Sequence, residues 1–153
     1  MSQESIPFKI TLPKTKKVGI LLSIPHCGVL FPEEISNEYN QKHISCPDDT
    51  DWDLNRLYDF AAEIGITTIE AIYSRWVIDL NRTPQNESLY NDGRIITSLC
   101  PNTDFLGNSI YRSPENEPSV SEIQRRLEVY YLPYHQKIDQ LRERSRSGTK
   151  IGT

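Results

Sequence analysis

The sequence has no apolar run approaching the ~20 residues that a helix needs to cross a bilayer, so no membrane span is expected. Its start, Met1-Ser2-Gln3-Glu4-Ser5, lacks the basic segment and apolar core of a secretory signal, and export by that route is not expected either. Cysteine is scarce. Cys27, Cys46 and Cys100 are odd in number and widely spaced, which excludes a metal-knuckle pattern and a disulfide framework and points to a reducing compartment, by default the cytoplasm. Positive charge is not in excess. Seventeen basic against twenty-one acidic side chains give a formal charge of −4, a balance that argues against nucleic acid or an anionic membrane as partner. There is no phosphate-cradling glycine loop and no internal repeat. What remains is 153 residues, 37% hydrophobic and 25% charged, the composition of one soluble globular domain with a substantial core.

The apolar pattern predicts strands alternating with helices. A short edge strand is expected at Phe8–Thr11. A buried strand is expected over Val18–Ile24, a continuous apolar run that Pro25 ends. A short helix fits Glu33–Tyr39. After Asp48-Asp49-Thr50-Asp51-Trp52-Asp53, the residues Leu54, Leu57, Tyr58, Ala61 and Ile64 fall on one helical face, capped by Thr50 or Asp51 and ended by Gly65. Ile66–Glu70 reads as the next strand. Trp76-Val77-Ile78-Asp79-Leu80 has the β-branched and aromatic content of another, running into Asn81-Arg82 and stopped by Pro84. Residues 83–118 carry four prolines and the turn-forming Asn91-Asp92-Gly93, and read as a long irregular connection, functional or mobile. Ser119 with Glu122 forms a capping-box pattern ahead of an apolar stripe from Ile123 to Leu141 that Pro133 should kink or restart. Residues 1–142 thus read as a single α/β domain and 143–153 as a disordered tail.

Three polar groups sit at predicted strand ends or a helix start: His26, the Asp49/Asp51 pair, and Asn81-Arg82. Imidazole and carboxylate suit zinc, although a catalytic zinc site needs three protein ligands and an open position for water, and only two convincing candidates are present. Asp49 and Asp51, at a helix start, fit the role of helix caps before that of ligands. His135 fits a satisfied structural role within the helix stripe, and His43 a solvated one. Cys27 beside His26 is a weak candidate for a thiolate nucleophile. Arg82 is either an ordinary arginine, paired with Asp79, or a planar clamp for a carboxylate.

Taken in succession, Ser23-Ile24-Pro25-His26-Cys27-Gly28, Asp49-Thr50-Asp51-Trp52 with Arg56-Leu57-Tyr58, and Tyr73-Ser74-Arg75-Trp76-Val77-Ile78-Asp79-Leu80-Asn81-Arg82 resemble the N-formylglutamate amidohydrolase (N-formylglutamate deformylase) family. Leu99-Cys100-Pro101 and the Tyr130–His135 segment are also similar, so the resemblance spans roughly residues 18–142. Asp79-Leu80-Asn81-Arg82 is similar as well to zinc-dependent aspartoacylases and succinylglutamate desuccinylases. The resemblance implies a mixed, largely parallel sheet flanked by helices, of the phosphorylase/hydrolase-like, zinc-carboxypeptidase-like kind. It implies a Zn2+ hydrolase that splits N-formyl-L-glutamate into formate and glutamate in histidine breakdown. His26 would be a metal ligand. One of Asp51 and Asp49 would be the carboxylate ligand, with Asp51 the better match. Arg82 with Asn81 would grip a substrate carboxylate, assisted by Arg75.

Two departures qualify what the resemblance implies. Related carboxypeptidase-like enzymes carry a glutamate three positions after the first histidine, where this chain has Val29. The family also continues into a segment with an Asp-Ala-His-Ser-like motif that residues 143–153 do not resemble, so the chain is expected to be an amino-terminal portion, incomplete at its C-terminus and weak or inactive alone. The rival expectations are a non-catalytic module binding an acidic ligand or a protein, with an unfinished sheet edge open to a partner or a homo-oligomer, and an α/β domain whose motif survives without function.

Overall fold

A computed structural model describes residues 6–84 and 98–147. Three strands form one mixed sheet in the order β1 (Phe8–Thr11), β3 (Thr67–Ala71), β2 (Leu21–Ile24). β1 runs antiparallel to β3 with Phe8 opposite Ala71, and β2 runs parallel to β3 with Ser23 opposite Ile69. The expected edge strand at Phe8–Thr11 is present. β3 holds the centre because Thr67, Thr68, Ile69 and Ala71 are buried. The run read as a doubly buried strand over Val18–Ile24 is shorter and lies at an edge. Val18 and Ile20 stay outside β2 and are exposed, because no neighbour covers that side of β2 among the described residues.

The crossover from β2 to β3 contains only single helical turns: α1 (Glu33–Ser36), α2 (Gln41–Ile44), α3 (Leu54–Leu57) and a 3-10 turn at Asp59–Ala62. The helix expected after Asp53 is therefore broken. Asp53 takes a left-handed conformation, φ 57°, and the helical hydrogen bonds change to 3-10 after Tyr58. The expected apolar face is only partly covered: Ala61 is buried and Leu54 and Tyr58 are half-buried, but Leu57 is 66% exposed and Ile64 54%.

Trp76–Leu80 is buried as expected but is not a strand. Residues 74–82 form an irregular arch whose five central residues, Trp76 to Leu80, are each under 10% exposed. A buried backbone must satisfy its carbonyls, and here side chains distant in sequence replace a β ladder. Tyr39 Oη donates to the Trp76 carbonyl (3.1 Å), Arg126 Nη1 to that of Val77 (3.1 Å), and Tyr131 Oη to that of Arg82 (2.7 Å). His135 Nε2 bonds the Leu80 carbonyl at 2.9 Å.

Three of those four groups come from one helical run. α4 (Val120–Arg126) begins at Ser119, whose hydroxyl accepts from the Glu122 amide as the capping pattern predicts. A π turn follows at Leu127–Tyr131, and α5 (Leu132–Ser147) continues it. The wide turn lies just ahead of Pro133, whose ring would collide with the carbonyl four residues back in a regular helix; the interruption expected at Pro133 takes the form of this π turn, with α5 starting at Leu132. α5 packs on the sheet through Tyr134, which meets Phe8 edge-on and bonds Ser23 Oγ at 2.8 Å. Residues 143–147, read as tail, are helical: Glu143 and Arg144 are good helix formers, and Arg142 pairs with Asp139 one turn back (3.7 Å). Residues 148–153, and the Asn91-Asp92-Gly93 turn, lie outside the described residues. No described helix is long and apolar enough to cross a membrane.

Candidate active site

Two parallel strands release their carboxyl ends on the same side of the sheet, where ligands of α/β proteins collect. β2 ends at Ile24 and delivers His26; β3 ends at Ala71 and delivers the arch. The two exits stay together beyond the sheet. Leu30 N donates to the Ile72 carbonyl (3.2 Å), and Ser74 N to that of Leu30 (2.9 Å). Gly28 makes this possible, since a Cβ there would lie 2.2 Å from the Tyr73 carbonyl oxygen. Gly28→Ala is therefore expected to cost about 1–3 kcal/mol in urea unfolding, by forcing the His26 loop off the arch. An unchanged midpoint would show that this close approach is not required.

Asp79 is the junction of the site. Its side chain is fully buried and accepts from three sides: Arg75 Nη2 reaches Oδ2 at 2.7 Å, the Asn81 amide reaches Oδ1 at 2.9 Å, and His26 Nε2 reaches Oδ1 at 2.7 Å. Arg82 Nε lies 3.8 Å from Oδ2. Burial pushes the Asp79 carboxyl up, but the His26 hydrogen bond and the Arg75 charge outweigh it, and the group titrates below the ordinary carboxylate range. An ionised carboxylate only accepts hydrogen bonds, so His26 carries a hydrogen on Nε2, and in the neutral ring the lone pair is then on Nδ1. Nδ1 faces Asp51 Oδ2 at 3.7 Å. The Asp51 amide in turn donates to the His26 carbonyl (3.0 Å), which ties the two residues together.

This arrangement separates the expected site residues. His26 and Asp51 converge, with Asp51 exposed and His26 partly so. Asp49 does not join them through its oxygens, which are occupied elsewhere: Trp76 Nε1 donates to it at 2.8 Å, and Phe105 N lies 3.1 and 3.2 Å from its two oxygens. Arg75 is turned toward Asp79 and stacks on the Phe105 ring at 4.9 Å, so its charge is committed inside the protein. Asn81 is exposed beside the partly buried Arg82. The pairing of Arg82 with Asp79 weighed from sequence is present, as a long contact. Cys27 is no nucleophile: its thiol donates to the Ile24 and Ala71 carbonyls, and burial, with Glu70 nearby, pushes its pKa up to about 11. His135 takes the structural role expected of it.

The role of Asp79 toward His26 is missing from the sequence reading. The available signal was a lone carboxylate inside an apolar run, since a buried Asp needs cationic or hydrogen-bonding partners. Arg126, 1% exposed, is the other omission; its only local sign is Glu122 four residues earlier, which accepts from its Nε at 2.8 Å.

Does this donor set fit zinc? Two ligands held ~2.0–2.1 Å from a tetrahedral zinc stand about 3.3 Å apart, close to the 3.7 Å between His26 Nδ1 and Asp51 Oδ2. A carboxylate on the second ring nitrogen of a ligating histidine is the usual means of fixing its tautomer. The pair therefore fits part of a zinc site. Among the described residues, no group of three His, Cys, Asp or Glu side chains converges to hold a metal. A separate cleft of about 570 Å³ lies between α1 and α4. Four of its five glutamates are paired, Glu34 with Tyr130, Glu38 with Asn116, Glu117 with Asn102 and Glu122 with Arg125. Its acidic lining suits an anionic ligand less well than the His26 face.

The family model described as N-formylglutamate amidohydrolase matches residues 18–151. N-formylglutamate deformylase of Pseudomonas aeruginosa is 38% identical over 125 residues, covering 82% of this chain and 46% of that protein. The Pseudomonas putida N-formylglutamate deformylase is 37% identical over 131 residues, covering 83% and 48%. The fold is similar to a crystal structure of N-formylglutamate amidohydrolase from Ralstonia eutropha, with a TM-score of 0.70 and 24% identity over 94% of this chain and 53% of that one. A gene product from Agrobacterium tumefaciens gives 0.67 and 23%, over 97% and 54%. The chain spans about half the length of the curated relatives it matches. By the family match over most of its length and by its identity to the deformylases, the chain belongs to the N-formylglutamate amidohydrolase family.

Proposed function

We propose that this chain contributes a metal-binding histidine and aspartate, and a carboxylate-gripping arginine, to a zinc amidohydrolase that removes the formyl group from N-formyl-L-glutamate. The observation that carries this reading is the Asp79 junction. One buried carboxylate orients His26 toward Asp51 and lies beside Arg82, so the proposed metal-binding corner and carboxylate-binding corner meet at one side chain. The names of the relatives supply the substrate.

In this reading His26 Nδ1 and Asp51 Oδ2 would hold zinc, which supplies Lewis acidity and a water of lowered pKa. Among the described residues no third His, Cys, Asp or Glu converges on this pair. Asp79 keeps the hydrogen on His26 Nε2. Arg75 balances the Asp79 charge from within. Arg82, with the exposed Asn81, meets a carboxylate of the dianionic substrate, and the fixed arch holds that carboxylate at a constant distance from His26.

The test is zinc affinity, by equilibrium dialysis and elemental analysis, beside formate release from N-formyl-L-glutamate. Zinc binding is expected to weaken by about tenfold or more in His26→Ala and in Asp51→Asn, while the chain alone releases little formate. Equal zinc uptake by wild type and both variants would remove the metal role. The second reading, a metal-free module for acidic ligands, draws on the two-donor limit of the described site. It requires glutamate to raise the melting temperature equally with and without zinc.

A further inference from the structure

We infer that Arg126 and Tyr131 are positioning residues for the Asn81-Arg82 pair, and that the π turn between them exists to bring both onto the arch. The inference rests on the proposed carboxylate-binding role of Arg82. In a regular α-helix, residues five apart point roughly 140° away from each other, so Arg126 and Tyr131 could not both face residues 77–82. The Leu132 amide donates to the Leu127 carbonyl, a bond that spans five residues rather than four. The wider turn returns the fifth residue over the first, and His135 follows at regular spacing on the same side.

All three reach arch carbonyls: Arg126 that of Val77 (3.1 Å), His135 that of Leu80 (2.9 Å) and Tyr131 that of Arg82 itself (2.7 Å). Arg126 is fixed in its turn. Its Nη1 lies 3.0 Å from both the Tyr39 and the Tyr111 hydroxyls, and its Nε donates to Glu122. Tyr131 also packs against the His135 ring, with centroids 4.3 Å apart and the planes tilted by 35°. None of these groups bonds Asp51 or His26 in the described contacts. Their common target is the backbone that carries Asp79, Asn81 and Arg82. A guanidinium on an irregular segment would otherwise sample many orientations, and holding its own carbonyl and those before it sets its direction before a ligand arrives.

The experiment compares wild type, Tyr131→Phe, Arg126→Lys and a control, Tyr130→Phe. The control removes a hydroxyl from the same turn that bonds Glu34 rather than the arch. Affinity for N-formyl-L-glutamate is measured by calorimetry, and amide hydrogen exchange is followed at residues 77–82 and in β3. Tyr131→Phe and Arg126→Lys are each expected to lose about tenfold or more in affinity and to exchange faster at 77–82, with β3 unchanged; Tyr130→Phe should do neither. Retained affinity in both arch variants overturns the inference, even if exchange accelerates. An equal loss in Tyr130→Phe also overturns it, because the effect would then be general to the helix. A wild-type protein that does not bind N-formyl-L-glutamate overturns the carboxylate-binding reading and this inference with it, whereas a binding wild type with indifferent variants overturns the inference alone.

Discussion

Asp79→Ala is expected to destabilise the protein by about 3–5 kcal/mol, the usual effect of removing one partner from a buried ion pair. The variant strands Arg75, removes the acceptor of His26 Nε2 and leaves the Asn81 amide unpaired. Asp79→Asn keeps the shape and one acceptor and should cost less, about 1.5–3 kcal/mol. The amide has a second consequence. Its NH2 can donate to His26 Nε2, which moves the ring hydrogen to Nδ1 and takes the lone pair away from Asp51. Zinc affinity should then fall by about 10–100-fold although both proposed ligands are intact. Because the folded Asp79 titrates below its ordinary value, the stability it contributes is fully present above about pH 4 and is lost as pH falls through the depressed folded pKa. Urea unfolding of wild type and Asp79→Asn from pH 7 down to about pH 2 should show the gap closing only in acid. A gap that persists at the acid end would mean that the carboxylate charge is not its source.

Trp76→Ala should cost about 3–5 kcal/mol, the range for removing a large aromatic side chain from a core, since Trp76 is 1% exposed. Trp76→Phe separates the hydrogen bond from the volume. It leaves Asp49 buried with the Phe105 amide but without the indole donor, for about 1.5–3 kcal/mol. If Asp49 is a tether between Trp76 and residue 105, Asp49→Asn and Trp76→Phe should be strongly non-additive in a double-mutant cycle, and Asp49→Asn should leave zinc binding as it was. Additive costs, or zinc lost with Asp49, would return Asp49 to the metal site.

The sheet was partly legible because β1 and β3 show their character locally: Phe8 and Ile10 alternate with Lys9, and β3 is rich in Thr and Ile. The Leu57 and Ile64 stripe misleads because helical spacing reports a face without reporting whether anything covers it. The arch misleads for a different reason. Trp76-Val77-Ile78 has every local property of a strand, and burial is what those residues indicate; the choice of donors is not. Tyr39, Arg126, Tyr131 and His135 lie 37 to 55 positions away or are separated by a crossover, and no periodicity connects them to the carbonyls they bond. His26 stood out because it follows a strand exit, Asp51 because it opens a helical pattern, and Arg82 because it ends an apolar run, even though that run is an arch rather than a strand. Asp79 was hidden by the same apolar neighbours that bury it.

The arch also fixes the chain length between Ser74 and Arg82. A surface loop tolerates an added residue because its backbone is solvated on either side. Here the carbonyls of Trp76, Val77, Leu80 and Arg82 each meet a distant side-chain donor, Tyr39 for the first and residues of the helical run for the other three, so one inserted residue would advance every later one of them past its partner at once. A segment without regular secondary structure thus has the register of a strand. The boundary to avoid when grafting, tagging or circularly permuting this protein is set by those four carbonyls rather than by where its helices and strands end.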